Sequence, residues 1–205
     1  MERPFLVMLV VSAAALVQPI VPVEQEPHHR TVLQNAWLRV LDVRFDVGVT
    51  SGFHRHSLNN VAVRLVGGTT RADTIDGEGQ PRVVATGSVV YYSASPPYVH
   101  RVANVGTGAV RIVDVELSGA RAAATSGAAD ETAKHVVEIE NEHVRVSRVR
   151  LGPGESLAAH THPRGWLEVV VTGQDPGRVA WHAAAGKVAV AAQPTGVDLV
   201  EVEPR

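Results

Sequence analysis

Beyond residue 24 the chain alternates apolar and polar positions with a period of two. Val61, Val63 and Leu65 fall on one side of an extended run, with Ala62 and Arg64 on the other. The stretch Val110–Leu117 reads Val-Arg-Ile-Val-Asp-Val-Glu-Leu, and Val197–Glu203 is written in the same style. β-Branched residues with interleaved charge suit a pleated, half-buried surface. A helix would need apolar positions at 3.6-residue spacing, which no segment after the N-terminal run provides. Turn residues punctuate the runs at Gly67-Gly68, Asp76-Gly77-Glu78-Gly79, Gly106-Thr107-Gly108, Gly152-Pro153-Gly154 and Asp175-Pro176-Gly177. The pattern predicts an all-β fold of many short strands, a sandwich or a barrel.

The strand pattern occurs twice. A shift of 106 residues aligns Asn35, Arg39 and Val40 with Asn141, Arg145 and Val146, and the frame then continues without a gap. Val43, Arg44, Gly48, His54, His56, Val63 and Gly67 meet Val149, Arg150, Gly154, His160, His162, Val169 and Gly173. Ten identities in 33 positions, with both histidines and both glycines in one frame, indicate a duplicated unit. Residues 119–133 are small and polar without an apolar period, which reads as a linker, with a helix through the alanines as the alternative. The organisation expected is a first unit at 30–118, a linker at 119–133 and a second unit at 134–205. The apolar face of Val61, Val63 and Leu65 needs a cover. A sheet from the other unit would supply one; a homodimer would too but is not required.

The N-terminal run differs from both units. Phe5 to Val17 is apolar after a short charged start, and Gln18, Pro19 and Pro22 break it. A membrane-spanning helix needs roughly 20 apolar residues, so this run reads as a secretory leader ending near residue 23. The expectation is an exported protein, periplasmic or secreted, with no stable membrane span after cleavage; an uncleaved anchor or a buried first strand is the alternative.

Composition narrows the chemistry. Lys plus Arg is 19 against 21 for Asp plus Glu, so the basic footprint of a nucleic-acid binder is missing. Cysteine is absent, which excludes disulfides, thiolate metal sites and cysteine nucleophiles. Histidine, at 10, is the residue type that stands out. His54 and His56 are two apart, so a strand aims both from one face, together with Asn60 and Arg64 if the strand stays regular. A third imidazole is available from His100. Three neutral nitrogens with open positions are what a catalytic metal requires.

These residues carry a family resemblance. Gly48, His54-Arg55-His56, Asn60 and Gly67 match the spacing of the first cupin motif, with Asn60 standing where that family usually has a Glu ligand. His100 and Asn104 resemble the second motif, and Gly154, His160-Thr161-His162 and Gly173 resemble the first motif again. The chain therefore looks like a bicupin, two tandem cupin-like jelly-roll β-barrels. The resemblance implies one divalent transition metal (Fe, Mn, Ni, Zn or Cu) on His54, His56 and His100. Asn60 would hold a histidine or water beside it, and Arg64 would anchor a substrate. Without a carboxylate ligand the site stays at +2 and favours a small anionic or chelating molecule. Tyr91 and Tyr92 precede the His100 turn, one to line the pocket and the other to pack outside it.

The second unit reads as a degenerate, mainly structural copy. Trp166 takes the Glu position, an apolar stretch replaces His100, and only His182 and Glu168 are left as substitute ligands for His160 and His162. His28, His29, His135 and His143 are read as bland, the first two in a disordered segment. Two function classes stay open: a metal-dependent oxidoreductase resembling the dioxygenases, and a binding module or inert scaffold without turnover. Fold does not choose between them.

Overall fold

The computed structural model describes residues 19–120, 134–184 and 186–205. Most of the expected leader (1–18) and most of the expected linker (121–133) lie outside the described residues. The alternating segments form strands, as their period requires. The first unit opens with β1 (Val21–Pro22), β2 (His29–Gln34), β3 (Leu38–Phe45), β4 (His54–His56) and β5 (Asn60–Val66). It continues with β6 (Gly68–Asp73), β7 (Arg82–Val84), β8 (Val89–Tyr92), β9 (Tyr98–Asn104) and β10 (Val110–Leu117). The second comprises β11 (His135–Glu140), β12 (Val144–Leu151), β13 (Leu157–His160), β14 (Trp166–Thr172), β15 (Val179–His182), β16 (Val188–Val190) and β17 (Val197–Pro204).

In the first unit a sheet ordered β2-β3-β10-β5-β8 lies over a sheet ordered β1-β4-β9-β6-β7, the two layers of a jelly roll. The second unit repeats the first of these as β11-β12-β17-β14-β15, with β13-β16 alone as the opposing layer. Pairing registers make the duplication explicit. Asp114 on β10 lies opposite Leu41, and Glu201 on β17 lies opposite Ser147, so Asp114 and Glu201 hold equivalent places. Gly48 and Gly154 open the matching turns with φ of 77° and 75°, a region that side chains disfavour. One difference is large. The hairpin β6–β7 separates β5 from β8, whereas residues 173–178 alone join β14 to β15.

The two equivalent sheets, β2-β3-β10-β5-β8 and β11-β12-β17-β14-β15, pack on each other. Val61, Val63 and Leu65 meet Leu167, Val169 and Val171 in one buried cluster that also takes in Val113, Val115, Val200 and Val202. The other unit thus covers the apolar face, and no second copy is needed for that purpose. Trp37 stacks on Trp181 at 5.1 Å, and Arg148, paired with Asp198 at 2.7 Å, also donates to the Gly87 carbonyl of the first unit. Within the barrels, Val23, Leu41, Val43 and Phe45 fill one end of the first, and Val149, Leu151, Leu157, Val170, Val190, Val197 and Leu199 fill the second.

Two expected boundaries move. Val21 and Pro22 pair in parallel with His54 and Arg55, and Val23 is buried. The first unit therefore begins by residue 21 rather than 30, and an end of the leader at 23 would cut into it. Disorder around His28 and His29 is also corrected: β2 starts at His29, and the Glu26 carboxylate is buried beneath both rings.

Candidate metal centre

His54, His56 and His100 come together because two strands pair. His54 lies directly opposite His100 across the β4–β9 ladder, and His56 follows on the same face. One nitrogen from each ring falls within 4.8 Å of the others. The ring centroids are 4.6, 5.2 and 5.1 Å apart. His54 Nδ1 is 3.0 Å from the Gly52 carbonyl, an acceptor only, so that nitrogen carries the proton. Its Nε2 is then a lone pair, fully buried and without a hydrogen-bond partner. An orphaned acceptor of this kind, facing two more imidazoles, fits a divalent metal. All three rings stay neutral near pH 7. Burial, then repulsion from His29, lowers His54 to about 4; burial and His54 lower His100 to about 3; burial and His100 lower His56 to about 2.

Two of the three, His56 and His100, line a cavity of ≈ 370 Å³, with His54 packed behind them. Opposite it are Asn60, Ala62 and Arg64 of β5, and the rim comes from β6 and β7 through Thr70, Ala72, Arg82 and Val84. Arg64, 6% exposed, donates to the Tyr92 hydroxyl at 2.8 Å, while its Nε is a buried donor with no partner. Tyr92 lines the cavity, and Tyr91 turns to the other unit, where it stacks on His143 at 6.3 Å. Asn60 Nδ2 donates to Asp114 at 2.5 Å, and Asn60 Oδ1 accepts from the Tyr98 hydroxyl at 3.2 Å. Both ends of the Asn60 amide are thus engaged. Burial pushes the Asp114 carboxyl up, partly offset by Asn60. Its other oxygen is 4.0 Å from His56 Nδ1.

Several participants escape sequence reasoning. Tyr98 stacks on His56 at 4.8 Å. His29, read as bland, stands 4.5 Å from His54, its Nδ1 held by Glu26 at 2.6 Å. Burial would raise Glu26, but hydrogen bonds from His29 and His28 hold it at about 2. A signal was present. Extended six residues upstream of Asn35, the 106-residue frame pairs His29 with His135.

The second unit also departs from expectation. His135, His160, His162 and Glu201 each offer a ligand atom within 4.8 Å of the rest. Glu168 instead pairs with Arg178 at 2.6 Å, and His182 stacks on Trp166 at 4.8 Å, so neither belongs to this group. Trp166 is fully buried and lies 4.2 Å from His162.

No protein-family model and no curated protein matches the sequence. Solved structures do. Salicylate 1,2-dioxygenase from Pseudaminobacter salicylatoxidans superposes with a TM-score of 0.60 at 12% identity, over 86% of this chain and 76% of that one. A variant of that enzyme in complex with gentisate gives 0.61 at 12%, over 89% and 76%. AerE from Microcystis aeruginosa gives 0.59 at 9%, over 88% and 98%. A cupin domain from Bordetella pertussis is 21% identical over 50% of this chain and 98% of its own, with a TM-score of 0.40. At these identities the likeness is one of fold.

Proposed function

We propose that this chain of cupin fold holds a divalent transition metal in its first barrel, through His54, His56 and His100, and uses it on a small anionic molecule. The observation that carries the reading is the convergence of three neutral imidazoles, two buried and one half-buried, beside a cavity lined by His56, His100 and Arg64, whose Nε–H is unpaired. Bound there, the ion would supply Lewis acidity and, if it is iron, redox capacity.

The protein's own groups do the rest. Arg64 Nε, fixed by the Tyr92 contact on the same guanidinium, binds a carboxylate and sets its distance from the histidines. Tyr98 and Asn60 form a polar wall that orients the opposite end of the ligand. The β6–β7 hairpin limits ligand size and excludes bulk water. The likeness to a salicylate dioxygenase makes hydroxylated aromatic acids the first candidates for a dioxygenase-type reaction. Capture without turnover is the second reading, and one observation favours it: among the described residues lining the cavity, Asp114 is the one carboxylate, and it is engaged by Asn60. The apolar run at 5–17 supports export, with cleavage ahead of Val21.

Metal analysis of the purified protein tests the site directly. His54→Ala and His100→Ala are each expected to abolish metal in the first barrel; equal content in wild type and both variants defeats the reading. Oxygen uptake with salicylate and gentisate then separates the two classes. Saturable uptake that is lost in His54→Ala supports an enzyme. Ligand-induced thermal stabilisation with no uptake supports a binder.

A further inference from the structure

The second barrel contains a donor set that adds two positions outside the motif, His135 and Glu201, to its His-x-His pair. His160 and His162 lie at the end of β13 and just beyond it, His135 opens β11, and Glu201 is central on β17. Glu201 Oε1 is 3.1 Å from His160 Nε2, and Oε2 is 3.2 Å from His162 Nε2 and 3.3 Å from His135 Nε2. Ligand atoms held ~2.0–2.1 Å from a tetrahedral ion stand about 3.3 Å from one another. The Glu201 carboxylate lies at that spacing from all three rings, through its two oxygens, and one ligand atom from each of the four residues lies within 4.8 Å of the rest. Despite their proximity, His162 Nε2 and Glu201 Oε2 are buried atoms without an aligned hydrogen-bond partner. On its far side, His162 Nδ1 is 3.4 Å from Glu203, the arrangement by which a carboxylate orients a ligating imidazole.

We infer that His135, His160, His162 and Glu201 form a second, closed cation site of the zinc type, structural rather than catalytic. Four protein donors complete a tetrahedron and leave no coordination position for substrate. Trp166 seals the side that Asn60 leaves open in the first barrel, and Val149, Leu157 and Val170 fill the barrel below. The side chain that makes the set is Glu201, one methylene longer than Asp114 at the equivalent place. In the first barrel the shorter acid stops at Asn60, 4.0 Å from His56. In the second it reaches three rings.

Zinc titration of the chelator-stripped full chain tests this, with cobalt as a spectroscopic substitute. Wild type is expected to take up two equivalents of zinc, Glu201→Gln and His135→Ala one each, and His54→Ala one. The equivalent kept by the Glu201 and His135 variants shows that they are folded. Cobalt in His54→Ala is expected to show the intense visible bands of a tetrahedral ion, absent from Glu201→Gln. Glu203→Gln, which removes only the orienting carboxylate, should weaken the site by ~10–100-fold. Failure of the first site alone leaves one equivalent in wild type and in His54→Ala, lost in Glu201→Gln. Zinc content unaltered by Glu201→Gln and His135→Ala, or no zinc in His54→Ala, overturns the inference.

Discussion

The two barrels share the strand order and register of one five-stranded sheet and a His-x-His pair, yet their interiors differ in opposite directions. The first keeps a hairpin over its sheet, an asparagine at the ligand position and a cavity beside three uncharged imidazoles. In the second the hairpin is missing, tryptophan replaces asparagine, and a glutamate stands among its imidazoles. Open coordination and a cavity suit a reaction or a ligand; a complete donor set under an aromatic plug suits stability. A hairpin present in one unit and absent from the other thus accompanies an open interior in the first and a filled one in the second.

The plug offers the sharpest way to break this contrast. Trp166→Ala should cost about 3–5 kcal/mol in denaturant unfolding, the usual loss for a fully buried tryptophan. Asn60→Ala should cost only about 1–3 kcal/mol, the penalty for leaving Asp114 without its donor. Equal costs would mean that the two positions play the same part.

Acidity should separate the metal-free barrels by sign. Folded-state values for His54, His56 and His100 lie below the ordinary 6.5, so their stability is present above pH 6.5 and is lost as pH falls. For His54 alone the loss is on the order of 3 kcal/mol by pH 4. His162 runs the other way. Against the effect of burial, Glu201 and Glu203 raise it to about 9, so its contribution is complete below pH 6.5 and disappears as pH rises through 9. Amide exchange should show β4 losing protection in acid and β13 in alkali. Loss of both on the same side of neutrality would erase the distinction.

Smaller effects sharpen it further. Arg64→Leu should weaken binding of a carboxylate ligand by ~10–100-fold in calorimetry, with unfolding little changed, because the group serves the ligand rather than the core. Trp37→Ala removes one stacked partner between the units and should cost about 1 kcal/mol. A much larger loss there would make the interface, not the two interiors, the main source of stability.

Much of the first site was legible in the chain. Strand parity paired His54 with His56 and Asn60 with Arg64, and a spacing match added His100. The single regular strand expected for all four breaks at residues 57–59, so the two pairs lie on β4 and β5 in different sheets. The second site was hidden for a physical reason. The second unit has no counterpart of the β6–β7 hairpin, so the offset between the units shortens from 106 at His54 and His160 to 87 at Asp114 and Glu201. Alignment in a single frame therefore never sets those acids side by side. Parity also pointed to Glu168, on the right face of its own strand but drawn away by Arg178.

Sequence alone determined what depends on local geometry: the period of two, the turns at glycine, the repeat and the pair of imidazoles on one ribbon. Only the tertiary structure decided which distant strands bring a third or fourth donor to each pair. His29, His135 and Glu201 acquire their roles by cross-sheet proximity, which follows from how β2, β11 and β17 pack, not from their neighbours in the chain. Whether a barrel is open or filled was settled the same way, since it depends on the volume of Trp166 and the presence of a hairpin acting on the same space.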